Sequence, residues 1–136
     1  GMSEIKKLEP LTGWMELHLA TDIIDPPVLR VRLRPLTAID MMDAYTEAGV
    51  VRLSQLTLAS ALAAIAEWDL TESGRALPCT DEAKAEHAAF LKVLLASRVE
   101  RRVGPGDGVV EDGEGDRFAA TEIQQVARRS ENFLKN

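Results

Sequence analysis

Residues Trp14 to Arg34 read WMELHLATDIIDPPVLRVRLR. Met15, Leu17 and Leu19 alternate with Trp14, Glu16 and His18, and Leu29, Val31 and Leu33 alternate with Arg30, Arg32 and Arg34. A period of two is the signature of a half-buried strand. The intervening ATDIIDPP carries turn residues and two prolines, so the stretch predicts a β-hairpin with one apolar and one polar face. Three arginines then share one side of a strand. They fit a solvated face that keeps an edge strand from aggregating, or a contact to an anionic or acidic partner.

Outward from the hairpin the pattern turns helical. Pro35 ends the strand and Thr37 is a good N-cap. A first helix is expected from about Ala38 to Ala48, with Gly49 as its stop. A second, from about Leu53 to Trp68, is apolar nearly all round: Leu53, Leu56, Leu58, Leu62 and Ile65 are interleaved with alanines. Such a helix requires cover on every side, either from the rest of the chain or from another subunit or partner. The following WDLTESGRALPCT, Trp68 to Thr80, reads as a small hairpin-like flap. Glu72-Ser73-Gly74-Arg75 is a turn signal, Pro78 keeps Leu77 extended, and Thr80 caps the next helix with Asp81 and Glu82 against its dipole. That helix is expected to run from Asp81 to Arg102, its last turns crowded by Arg98, Arg101 and Arg102. GPGDGVVEDGEGD, residues 104–116, has five acidic and no basic side chains and reads as a flexible linker. A final amphipathic helix is expected from about Ala119 to Leu134, free to dock on the body, to swap, or to await a partner. The fold class is therefore α+β: an N-terminal hairpin packed on three to four helices, with a flap between two of them. It divides as a body over 1–103, a linker over 104–116 and a helix over 117–136.

With 136 residues the chain can bury a core without disulfides. Its net charge of −6 disfavours nucleic acid as a partner. The aromatics are scattered and no basic stripe runs among them. The single cysteine, Cys79, allows no internal disulfide and fits a reducing compartment. The longest chargeless run, Leu53 to Ala66, is too short for a membrane span, which needs about 20 residues. Gly1 before Met2 reads as a tag remnant, and the charged residues after it do not resemble a signal peptide.

Chemical motifs are sparse. Asp112, Glu114 and Asp116 match the start of a calcium loop, but Arg117 stands where glycine is needed and Ile123 where a bidentate carboxylate is needed. Gly104, Gly106 and Gly108 lack the Lys-Ser/Thr of a phosphate cradle. His18 and His87 have no HExxH or CxxC company. Cys79 has no base near it in sequence. No cofactor or metal is expected. A small thiol or metal-dependent enzyme would require Cys79, His87 and carboxylates to converge in one pocket.

Two stretches, LRPLTAIDMMDA (Leu33–Ala44) and AIAEWDLTESGRALPCT (Ala64–Thr80), resemble the tail assembly chaperones of long-tailed bacteriophages and prophages. The resemblance rests on Arg34, Pro35, Leu36 and Thr37, and on a W-D/N-L-x-D/E-x-G-x-x-L-P-x-T pattern met by Trp68, Asp69, Leu70, Glu72, Gly74, Leu77, Pro78 and Thr80. It spans roughly residues 29–80. It implies a non-enzymatic protein of the host bacterial cytoplasm, absent from the finished virion. Such a protein binds the tape-measure protein, keeps it soluble and helps tail-tube subunits assemble. A structural head–tail or tail component retained in the particle is the alternative. The motif residues are expected to be architectural. Partner-facing groups are expected on the second and last helices: Leu58, Leu62, Ile65, Phe118, Ile123, Val126, Phe133 and Leu134. Self-association is expected as well.

Overall fold

The computed structural model describes residues 2–3, 10–37, 53–105, 109–111 and 117–134. The hairpin forms as its alternation requires. Strand β1 (Met15–Ala20) pairs antiparallel with β2 (Val28–Leu33), placing Leu17 opposite Leu29 and Met15 opposite Val31. Met15, Leu17, Leu19, Leu29, Val31 and Leu33 are all buried on one face. Burying each of these side chains contributes about 1.5–3 kcal/mol. On the other face Glu16 lies opposite Arg30, their side chains 3.4 Å apart, and the Arg30 guanidinium sits over the Trp14 ring.

Helix α1 (Leu53–Ala64) stops four residues short of its expected end. Ile65–Trp68 is instead strand β3, paired antiparallel with β2 through Val31–Trp68 and Arg32–Glu67. Helical propensity is a weak prior, and the open backbone edge of β2 beside a buried Ile65 and Trp68 outweighs it. As a result β2 is an interior strand, not the edge that its arginines suggest. Arg30 and Arg32 are engaged within the chain: the Arg32 Nε donates to the Thr12 carbonyl at 3.0 Å, and NH1 lies 3.5 Å from Glu67.

The flap forms as expected. Strands β4 (Thr71–Glu72) and β5 (Arg75–Ala76) pair across a turn at Ser73-Gly74, both with positive φ. Thr80 then caps α2 (Asp81–Glu86), its Oγ1 accepting from the Ala83 amide at 3.1 Å. The single helix expected over 81–102 does not form. It breaks at His87 into α2 and α3 (Ala88–Leu95), and Arg98–Val103 is strand β6, which pairs with the free edge of β1. Arg98, Arg101 and Arg102 therefore stand on a strand and do not cap a helix dipole. Within the acidic 104–116 stretch, Val109–Glu111 pairs with β6 as β7, in the register Arg102–Val110. The sheet order is β3-β2-β1-β6-β7.

Helix α4 (Ala119–Arg128) ends earlier than expected and is followed by a 3-10 turn, Ser130–Asn132. It packs on α1, and its Ile123 and Val126 join Leu91, Leu94 and Leu95 of α3 in one core with the sheet residues. The chain beyond it is tied back: Phe133 bridges to Thr12, and the Leu134 amide donates to the Leu11 carbonyl at 3.0 Å. The last helix is docked on the body. The helix expected over Ala38–Ala48 and the carboxylates Asp112, Glu114 and Asp116 lie outside the described residues. No described helix is long and apolar enough to cross a membrane.

Candidate interaction surface

The motif residues make a rigid corner. The Trp68 indole Nε1 donates to the Leu77 carbonyl at 2.7 Å, and the Leu77 amide donates to the Leu70 carbonyl at 2.9 Å. Asp69 closes the other side: its Oδ1 accepts from the Arg30 amide, while its own amide donates to the Arg30 carbonyl, both at 3.1 Å. Gly74, at φ +77°, holds a conformation that a side chain disfavours. The Arg34 amide donates to Ala64, and the Leu36 amide to Ala127, both at 2.8 Å, so the RPLT segment is tied to the ends of α1 and α4. Pro35 donates nothing between them, and Thr37 is the last described residue before residue 53. Pro78 is exposed and stiffens the return of the flap.

This corner borders a cleft of about 500 Å³ between the β1–β2 loop, the flap and the α2–α3 break. Its apolar lining includes Ile23, Ile24, Leu70, Leu77 and Phe90; its acidic groups are Asp25, Asp69 and Glu72. His87 also lines it, with Nε2 3.4 Å from Glu72 Oε2, so the flap and the helix break meet there. A second cleft, about 360 Å³, lies between α1, the end of α3 and the start of α4 and is lined by Leu58, Leu95, Ala96 and Phe118 among others. Between the two runs the outer face of α3. Ala89, Phe90, Val93 and Ala96 all face solvent there, Phe90 at 37% and Val93 at 57% exposure. Ala89, Val93 and Ala96 fall at i, i+4 and i+7 with Phe90 beside them, so they form one stripe rather than scattered single exposures.

The residues expected to face a partner divide. Ile65, Ile123 and Val126 are fully or almost fully buried in the core, so they correct that expectation. Leu58 and Leu62 are half-buried against the core, and Phe133 is half-buried beside Thr12. Only Phe118 and Leu134 of the set are exposed. The α3 stripe was not anticipated. Phe90 and Val93 carry its signal, but a single helix run on to Arg102 hides where α3 begins and ends.

Sequence reasoning also missed two buried charges. Lys84 is 6% exposed, and its Nζ donates to the Ile65 carbonyl at 2.7 Å, capping the outer edge of β3. Burial holds its pKa below the ordinary 10.5, with the nearby Arg34 pushing the same way. Cys79 lies beside it, its Sγ 3.6 Å from the same carbonyl, and burial raises its pKa above the ordinary 9.0. Glu122, in the first turn of α4, sits between Arg102 Nε at 3.1 Å and Arg117 NH1 at 3.2 Å. Neither contact has hydrogen-bond geometry, so the attraction is ionic. Glu122 is thus a helix carboxylate held inside the fold and not on a solvated face.

Cys79 and His87 do not line the same cleft: His87 borders the larger one, while the thiol turns to β3. Among the described residues, no three His, Cys, Asp or Glu side chains are grouped to hold a metal ion. Comparison with protein-family models, curated proteins and solved structures returned no match.

Proposed function

We propose that this chain is a non-enzymatic tail assembly chaperone of a long-tailed bacteriophage or prophage. It acts in the host cytoplasm, covering apolar helices of the tape-measure protein while tail-tube subunits assemble, and it leaves before the virion is complete. The observation that carries the reading is the solvent-facing apolar stripe of α3, open at each end into a cleft. An apolar stripe on a helix, flanked by grooves, suits an amphipathic helix of another polypeptide. The motif residues support the same reading from another side. Trp68, Asp69, Leu70, Gly74, Leu77 and Thr80 all act in fixing the corner beside the larger cleft, the architectural role that the resemblance implies for them.

Co-expression with the tape-measure protein encoded beside it tests the proposal. Wild-type chain is expected to hold that protein in the soluble fraction, and Val93→Asp to lose most of the effect while folding normally by circular dichroism. A tape-measure protein that stays as insoluble with the chain as without it overturns the reading. Finding the chain in purified virions favours a retained tail component instead.

A further inference from the structure

Resting on that reading, we propose that the larger cleft selects partner helices that carry a lysine or arginine one turn from a large apolar side chain. The cleft pairs an apolar lining with a rim of one sign. Leu70 is buried at its inner side, and Ile23 and Phe90 stand half-open at its mouth. The lining side chains that carry full charge are Asp25, Asp69 and Glu72; no lysine or arginine is among them. The imidazole of His87 in the lining is already directed at Glu72. A volume of about 500 Å³ admits one or two large side chains rather than a whole helix. An incoming leucine or phenylalanine would meet Phe90 and Leu77, and a cation three or four residues away on the same helix face would meet the rim. A partner presenting glutamate at that position would meet like charge and lose. The α3 stripe supplies contact area without preference, and the cleft supplies the choice.

A designed 18-residue amphipathic peptide with leucine and phenylalanine anchors flanked by lysine is the probe, and its twin with every lysine replaced by glutamate is the control. Binding is read by fluorescence anisotropy on the intact chain. The lysine peptide is expected to bind at least about tenfold more tightly than its twin at low salt, with the gap closing in 0.5 M NaCl. Asp25→Lys combined with Glu72→Lys is expected to reverse the order of the two peptides, a gain for the glutamate twin that damaged folding cannot mimic. Asp69 is left alone because it holds the Arg30 backbone. Equal binding of both peptides, or a preference untouched by the double reversal, overturns the proposal. So does a double reversal that changes sedimentation of the chain instead of peptide binding, since the occupant would then be a second copy. Failure of the two readings is distinguishable. If the double-reversal variant still keeps the tape-measure protein as soluble as wild type does, the cleft assignment falls and the chaperone reading stands; the peptide result does not depend on the tape-measure protein at all.

Discussion

Replacing Glu122 with glutamine isolates the ionic contact that fastens α4 to β6. The carboxylate is 3% exposed; Arg102 is 11% exposed and Arg117 34%. At 3.1 Å and an effective dielectric of 20, each unit-charge pair is attracted by about 5 kcal/mol before desolvation. Desolvation of Glu122 and Arg102 offsets much of that in the wild type, which makes the pair weak evidence of net stability. Removing only the negative charge is different, because the Arg102 cation stays in place with no compensating charge. Breaking a buried pair this way costs about 3–5 kcal/mol. The lower end applies here, since the contact is ionic without hydrogen-bond geometry and Arg102 NH1 keeps its bond to the Pro105 carbonyl. The lost carboxylate in the first helical turn adds about 0.5 kcal/mol.

Urea unfolding at pH 7 should therefore show Glu122→Gln destabilised by about 3 kcal/mol, or roughly 10 °C in Tm for a chain of this size. Arg117→Met, at the solvated arm of the contact, should lose no more than about 1 kcal/mol. Arg102→Met should fall between, because Glu122 then keeps Arg117. The Glu122→Gln loss should persist in 0.5 M NaCl, whereas any contribution of the exposed Arg30–Glu16 pair is screened away. A loss below about 1 kcal/mol for Glu122→Gln, equal to that of Arg117→Met, would refute the assignment of Glu122 as the buried fastening of the last helix.

Trp68→Phe keeps an aromatic ring but removes the donor to the Leu77 carbonyl; a loss of about 1–2 kcal/mol by urea unfolding is expected, and a neutral result would show that the indole N–H does not hold the flap. Gly74→Ala places a side chain at φ +77° and should cost about 1–2 kcal/mol, while a stabilised variant would contradict the turn geometry. Lys84→Met tests the buried amine through pH. The folded-state pKa of Lys84 is lowered, so between that value and 10.5 the unfolded chain holds more protons, and the stability of the lysine form rises with pH there. Cys79, with its pKa raised, acts oppositely above 9.0 as the unfolded thiol ionises first, so the comparison belongs in a Cys79→Ala background. In that background the stability gap between Lys84→Met and its parent should shift in the parent's favour as pH climbs toward 10.5. A gap that does not change from pH 7 to 10.5 would show the amine to be solvated.

The β1–β2 hairpin and the flap were legible because each is encoded locally. Alternation over Met15–Leu33 and the Ser73-Gly74 turn need no distant residue to read correctly. The overlong helices have the opposite origin. Ile65–Trp68 and Arg98–Val103 become strands because β2 and β1 each offer a free edge, and neither edge is visible from the segment that fills it. Arg102 and Glu122 stand twenty residues apart, and Lys84 and Ile65 nineteen, so their pairings depend on tertiary register alone. Charge at those positions reads as surface until the strand assignments are known.

The same dependence explains why the apolar excess was placed on the wrong residues. Ile65 reads as partner-facing because its helix is apolar nearly all round, and Ile123 and Val126 because theirs is amphipathic and follows a flexible linker. The five-stranded sheet supplies the cover: by converting two helix ends into strands, the fold gains a wider apolar floor and draws both helices onto it. On α3 the inner side, Leu91, Leu94 and Leu95, is consumed by the core while Phe90 and Val93 are left outside. A helix of eight residues that is apolar on both sides is stable only if its inner face is held firmly, and Glu122 and the Trp68 corner hold the elements on either side of it. Architecture and interaction are thus coupled: loosening α4 by Glu122→Gln should also reduce binding at the α3 stripe, and a variant that unfolds more easily yet binds at full strength would separate the two.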